Sequence, residues 1–318
     1  MPGSTAALPL GPPATAAPWR IVVAFAAIYV IWGSTYLAIR IGIGSVPPFV
    51  LASVRFLVAG AMLYVFARWR GAARPTAVQW RSTAIIGGLL LLCGNGGVVW
   101  SETRVSSGIA ALLVAVVPLW MALFDWIVPG GQRPTRRGVA GLLVGLAGVV
   151  ILVSQQSTRA TERVDLLGAA ALVFASMAWS AGSVYARVAP LPRSAELTTA
   201  MEMLCGGGLL AINAAATGQW SAVHWRAVTP ASLGALVYLI IFGSIIGFSA
   251  YIWLLRVTTP ARVATYAYVN PVVAMLLGCL LAGEPLTART LVAAGVIISA
   301  VVLITTQRGA RSVKGRAE

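Results

Sequence analysis

Apolar residues along this chain do not alternate with polar ones; they run in blocks of about 20, separated by short stretches that hold most of the arginines. A helix rises 1.5 Å per residue, so a block of that length covers the roughly 30 Å hydrocarbon layer of a bilayer. Ten such blocks lie near residues 21–41, 48–67, 83–101, 106–128, 137–154, 166–188, 197–216, 231–255, 260–282 and 286–306. Each is expected to be a membrane-spanning helix.

The blocks repeat. Trp32-Gly33-Ser34-Thr35-Tyr36-Leu37-Ala38-Ile39-Arg40 aligns with Trp179-Ser180-Ala181-Gly182-Ser183-Val184-Tyr185-Ala186-Arg187 at an offset of 147 residues, and the same offset lays Arg55 over Glu202. An offset of 152 lays Arg104-Val105-Ser106-Ser107 over Arg256-Val257-Thr258-Thr259, and Gly131-Gln132-Arg133-Pro134-Thr135 over Gly283-Glu284-Pro285-Leu286-Thr287. Five spans per half is an odd number, which makes the second half enter the membrane in the opposite sense. The expected fold is therefore an all-α integral membrane protein of ten transmembrane helices in two inverted five-helix repeats. The repeats take residues 19–155 and 164–306, between an uncharged Ala/Pro-rich tail of residues 1–18, expected to be disordered, and a basic tail of residues 307–318.

Composition agrees with a chain immersed in lipid, since 59% of residues are apolar and 10% charged. The net charge of +15 would suggest nucleic acid as the partner of a soluble protein. Here the arginines segregate instead. With a cytoplasmic N-terminus, sixteen Lys and Arg fall on the inner side against six outside, which predicts both termini inside and anionic lipid headgroups, not nucleic acid, against the basic face. Cys93, Cys205 and Cys279 lie in apolar blocks without ligand spacing, so neither a metal nor another cofactor is expected. Gly94-Asn95-Gly96-Gly97 lacks the Lys-Ser/Thr of a phosphate-binding loop, and the loops are too short for an ATP-binding domain. Transport would be driven by a gradient or be facilitated, with a proton as the candidate coupling ion. Gly138, Gly141, Gly145 and Gly148 give the fifth span a small-residue face for helix packing or a dimer contact, so monomer and homodimer both stay open.

Candidate functional residues are the polar and aromatic groups that stand inside spans. Arg55 and Glu202 are charges within the second and seventh, where an unpaired charge costs roughly 2.5–3.5 kcal/mol on insertion scales. They are read as a gate, or Glu202 as a proton carrier, with a static ion pair as the alternative. Trp32 and Tyr36 share a helical face, repeated by Trp179 and Ser183, and suit the wall of a substrate cavity; Arg40 and Arg187 at the span ends read as interfacial anchors. Pro118 and Pro271 near the centres of the fourth and ninth spans each remove a helix hydrogen bond, which a cavity or a neighbouring helix must compensate. Tyr266 and Asn270 form one face before Pro271, and Asn95 lies deep in the third span. Trp100 and Glu102 are expected near its interfacial end, Tyr251 and Trp253 decorate the eighth span, and Glu284 reads as a helix cap. His224 beside Trp220 and Trp225 belongs to an aromatic belt.

Several of these stretches resemble the drug/metabolite transporter superfamily, EamA branch: Trp32-Gly33-Ser34-Thr35, Pro47-Pro48 with Arg55-Phe56, and Gly283-Glu284-Pro285-Leu286-Thr287. Ser106-Ser107-Gly108-Ile109-Ala110-Ala111, Met201-Glu202-Met203-Leu204 and Thr265-Tyr266-Ala267-Tyr268-Val269-Asn270-Pro271-Val272-Val273 are most similar to its YedA-like group. The resemblance covers residues 20 to 306 and implies a bacterial inner-membrane exporter of small molecules. It also implies a central cavity built from spans one to four and six to nine. An importer or exchanger of polar solutes remains an alternative. A non-transporting membrane enzyme or sensor is the other, but no paired carboxylates, His cluster or soluble output domain support it.

Overall fold

The computed structural model describes residues 17–128, 165–258 and 265–283 continuously, with scattered positions between 136 and 147, position 263, and positions between 287 and 299. The tails, Gln132, Glu284, most of the expected spans 137–154 and 286–306, and Gly138, Gly141, Gly145 and Gly148 lie outside the described residues.

Among the described residues the chain is helical and contains no strand. Eight long helices follow in order: α1 (Pro18–Gly42), α2 (Pro48–Trp69), α3 (Ala77–Ser101), α4 (Ser107–Ile127), α5 (Leu166–Tyr185), α6 (Ala195–Ala216), α7 (Pro230–Leu254) and α8 (Tyr266–Ala282). The first seven are long and apolar enough to cross a membrane, and α8 carries a shorter apolar stretch, Val269–Leu281.

Local chemistry sets where they begin. Pro18, Pro48 and Pro230 stand in first turns, where a missing N–H costs nothing. Asp165, Ser194 and Thr229 cap α5, α6 and α7 by accepting from the N–H of Gly168, Leu197 and Ser232. Thr76 and Gln79 form a reciprocal capping box that starts α3 at Ala77, six residues ahead of the expected 83. The hydropathy of that first turn is low because it holds Gln79, Trp80 and Arg81, so the apolar pattern alone placed the start too late.

The outward surface keeps large apolar side chains, as on α2 with Val58, Met62, Val65 and Phe66 exposed. Small residues point inward and let helices approach closely. A Cβ placed on Gly60 of α2 would lie 2.9 Å from Met203 Cβ and 3.0 Å from Leu204 N on α6. One placed on Gly207 of α6 would lie 3.0 Å from Leu57 N and 3.2 Å from Phe56 Cβ on α2. Gly60 and Gly207, Phe56 and Met203, and Leu57 and Leu204 are all related by the offset of 147, so the contact is reciprocal. The two helices run antiparallel: Ala67 near the end of α2 clusters with Leu197 and Met201 near the start of α6. At the opposite end the Phe49 N–H donates to Gln219 Oε1 at 2.9 Å.

The remaining packing obeys the same exchange. α1 packs on α8 and α7, as α5 packs on α4 and α3; α3 packs on α6, as α7 packs on α2; α4 meets α8. Three spans depart from regular α-helix. α4 breaks at Ala115 and Val116 and resumes as Val117–Ile127, while α3 and α7 contain π-helical segments, Gly88–Asn95 and Leu239–Ile246, 151 residues apart. π-segments inside α-helices occur mostly at functional sites.

Candidate functional site

Where the halves meet, α1 places Trp32 at its middle, 7% exposed. The indole N–H donates to the Gly243 carbonyl of the α7 π-segment at 3.2 Å. Four rings surround it: Trp179 edge-on at 6.0 Å between centroids, Tyr266 edge-on at 5.1 Å, Tyr251 at 5.0 Å and Phe248 at 5.3 Å. Such pairs each add about 0.5–1.5 kcal/mol beyond the area they bury. Trp179 also approaches Phe248 at 5.7 Å and Tyr251 at 6.3 Å, which closes the aromatic box.

Beside this box lies a cavity with about 70 Å³ open to the centres of water molecules. At roughly 10–15 Å³ for one water, that admits a handful of waters. Trp32, Tyr36, Asn95, Trp179, Tyr266 and Asn270 all stand on its wall, together with Arg55, Thr35, Ser176 and Phe248. Helical spacing explains the local part of this arrangement, since Trp32 with Tyr36 and Tyr266 with Asn270 are one turn apart. Oriented to satisfy its neighbours, the Asn270 amide nitrogen donates to the carbonyls of Tyr266 at 3.1 Å and Tyr29 at 3.2 Å, tying α8 to α1. Tyr29 and Thr265 add a hydroxyl–hydroxyl bond of 2.6 Å between the same two segments.

Other candidates stand elsewhere. Ser183 lies one turn past Trp179, donates to the Trp179 carbonyl at 2.8 Å, and is not on the cavity wall. Pro118 occupies the first turn of the second segment of α4, where the helix is already interrupted, and the adjacent Val117 carbonyl accepts from Ser180 Oγ at 3.0 Å. Pro271 sits inside the continuous α8, buried and off the wall. Glu202 is 4% exposed on α6 and also off the wall, its backbone carbonyl pressed against Gly87 of α3.

The repeat superposes Arg55 and Glu202, but the structure does not join them in an ion pair. Arg55 Nε donates to Ser244 Oγ of the α7 π-segment at 2.8 Å, and its guanidinium lies over Phe56, 4.7 Å from the ring centre. Elsewhere, ion pairs join Arg104 with Asp165, at 3.4 Å, and Arg187 with Asp125. Each links the first half of the chain to α5 or its flanks. Arg40 donates to the Glu102 carbonyl, so both span-end arginines hold a neighbouring helix end. Glu102, expected near the interfacial end of its span, is fully buried within the protein at the end of α3. The reason is that α3 ends with its last turn against α1, as the Arg40 contact shows.

Phe248 and Tyr251 are the wall and box residues that the sequence pattern left unremarked or treated as decoration. Their spacing of three puts them on one face of α7, but that face looks like any other in a span that is apolar all round. Among the described residues no three His, Cys, Asp or Glu side chains gather to hold a metal.

The sequence profile of the EamA-like transporter family matches residues 19–154 and 166–306. The chain is 42% identical over 282 residues to the uncharacterized inner membrane transporter YedA of Escherichia coli (strain K12), covering 88% of each protein. It is 28% identical to a probable terminal-alkyne amino-acid exporter of Streptantibioticus cattleyicolor, covering 86% of this chain and 90% of the relative. A crystal structure of 22% sequence identity superposes with a TM-score of 0.63 over 92% of this chain and 98% of that one, a likeness of fold.

Proposed function

Because the chain belongs to the EamA-like transporter family, we propose that it exports small amphipathic metabolites or drugs, amino-acid-like compounds among them, across a bacterial inner membrane by alternating access. The observation that carries this reading is the cavity between the two halves, walled by Trp32, Tyr36, Trp179, Tyr266, Asn95 and Asn270. Aromatic rings supply adaptable apolar contact, and the amides supply hydrogen bonds. The relative described as an amino-acid exporter supports the cargo class.

The proposed machine has ten helices in two inverted five-helix repeats, residues 19–155 and 164–306, with both termini cytoplasmic. The antiparallel run of the equivalent helices α2 and α6 and the exchangeable packing of the halves support the inversion. Lipids surround it as monomer or homodimer, and transport is facilitated or driven by a gradient. Glu202, a carboxylate inside α6, is the proposed proton carrier.

Flux in proteoliposomes against a panel of amino acids, aromatic metabolites and dyes, with and without a pH gradient, tests the reading. Saturable flux of at least one compound is expected, and no flux of any compound refutes it. In Glu202→Gln the dependence of flux on the pH gradient should disappear; unchanged dependence removes Glu202 from coupling.

A further inference from the structure

The cavity wall carries one ionised side chain among the described residues, and it is a cation. Arg55 is seven residues into α2, about 10 Å from the start of that helix at 1.5 Å per residue, and only 2% exposed. No carboxylate among the described residues lies within 4 Å of it. Ser244 takes Nε, the Phe56 ring takes one face of the guanidinium, and Nη1 is buried without any hydrogen-bond partner. A Cβ on Gly243 would stand 2.9 Å from Nη2, so glycine at that position makes room for the guanidinium. A buried charge is retained at such a depth when something compensates it, and the Arg55 side chain stands on the wall of the cavity.

We propose that Arg55 is the recognition group for an organic anion, a carboxylate attached to an apolar or aromatic body that lies against Trp32, Trp179, Phe248 and Tyr266. This deepens the exporter reading above and rests on it. The guanidinium fork matches a carboxylate, and water-poor surroundings strengthen the bond. A further buried polar atom on the same wall, Asn95 Oδ1, also lacks a partner and adds a polar contact for the body of the ligand. The same charge rejects cationic compounds that aromatic boxes otherwise welcome. Arg55 therefore selects among amphipathic ligands by sign.

The full chain in lipid nanodiscs, titrated by calorimetry with 3-phenylpropionate, 3-phenylpropionamide, phenethylamine and chloride, tests the assignment. The acid should bind about tenfold or more tightly than the amide, and the amine should not bind, a margin of one charge-assisted hydrogen bond. Arg55→Met should bring acid binding down to the amide's level, Arg55→Lys should keep part of the preference, and Ser244→Ala should keep most of it. Equal binding of acid and amide by the unaltered protein overturns the proposal without any variant. So does Ser244→Ala losing the preference as fully as Arg55→Met, which would make Arg55 a latch on α7. Chloride binding that phenylpropionate cannot displace would make this an inorganic-anion site and also overturn it. Acid preference without flux of any compound refutes the exporter and leaves the anion site standing; flux indifferent to charge does the reverse.

Discussion

Trp32 shows how much one side chain concentrates. It sits at the centre of α1, touches four rings and donates to a carbonyl that the π-segment of α7 turns toward it. Trp32→Ala should lower the melting temperature of the purified protein strongly, since deleting a buried Trp costs about 3–5 kcal/mol. Trp32→Phe keeps a ring but leaves the Gly243 carbonyl without its donor, a loss of about 1–3 kcal/mol. Thermal melts followed by size-exclusion fluorescence should rank wild type above Trp32→Phe and that above Trp32→Ala; a Phe variant as damaged as Ala would show that the hydrogen bond, not the rings, dominates.

The helices themselves meet through small residues. Gly60 and Gly207 face backbone atoms across the α2–α6 contact, which no rotamer change can move aside. Gly60→Val and Gly207→Val should therefore damage folding alike, because the two positions are the same contact read from either side. Gly208→Ala, with open space around the added carbon, should be tolerated and gain about 0.5–1 kcal/mol of helix propensity. Yield of monodisperse protein and its melting temperature check all three, and a large asymmetry between Gly60 and Gly207 would contradict the reciprocal contact. At this scale much was legible in advance. The eight expected spans that fall largely within the described residues are helices, because block length is dictated by the bilayer. The early start of α3 was missed because a capping box is a polar signal inside a search for apolar runs. The π-segments left no mark in hydropathy at all.

Across the whole molecule, the first half is tied to α5 near both of its ends, by Arg104 with Asp165 and by Arg187 with Asp125. The Arg104–Asp165 pair, exposed on both sides, is worth roughly 0–1 kcal/mol, so it marks a place where the halves meet and does not hold them together. If the halves rock, a link at one such place should stop the cycle. With Cys93, Cys205 and Cys279 replaced by Ala, cysteines introduced at Arg104 and Asp165 and joined by a short bis-maleimide should abolish flux in proteoliposomes, while either single variant treated alike should not. Undiminished flux after complete linkage would show that this end stays closed throughout transport.

By itself the sequence determined the length and number of apolar blocks, their repeat, and the aromatic and amide residues placed in mid-span. These follow from local constraints: the thickness of hydrocarbon, the rise of a helix, and the cost of a polar group in lipid. Tertiary structure alone decided which faces meet. It turned Arg55 toward Ser244 and the cavity instead of toward Glu202, buried Glu102, set Ser183 off the wall and brought Phe248 and Tyr251 to Trp32. A helix that is apolar all round has no amphipathic stripe to point it, so its orientation comes from close contacts with glycines and small residues some 150 positions away in the chain.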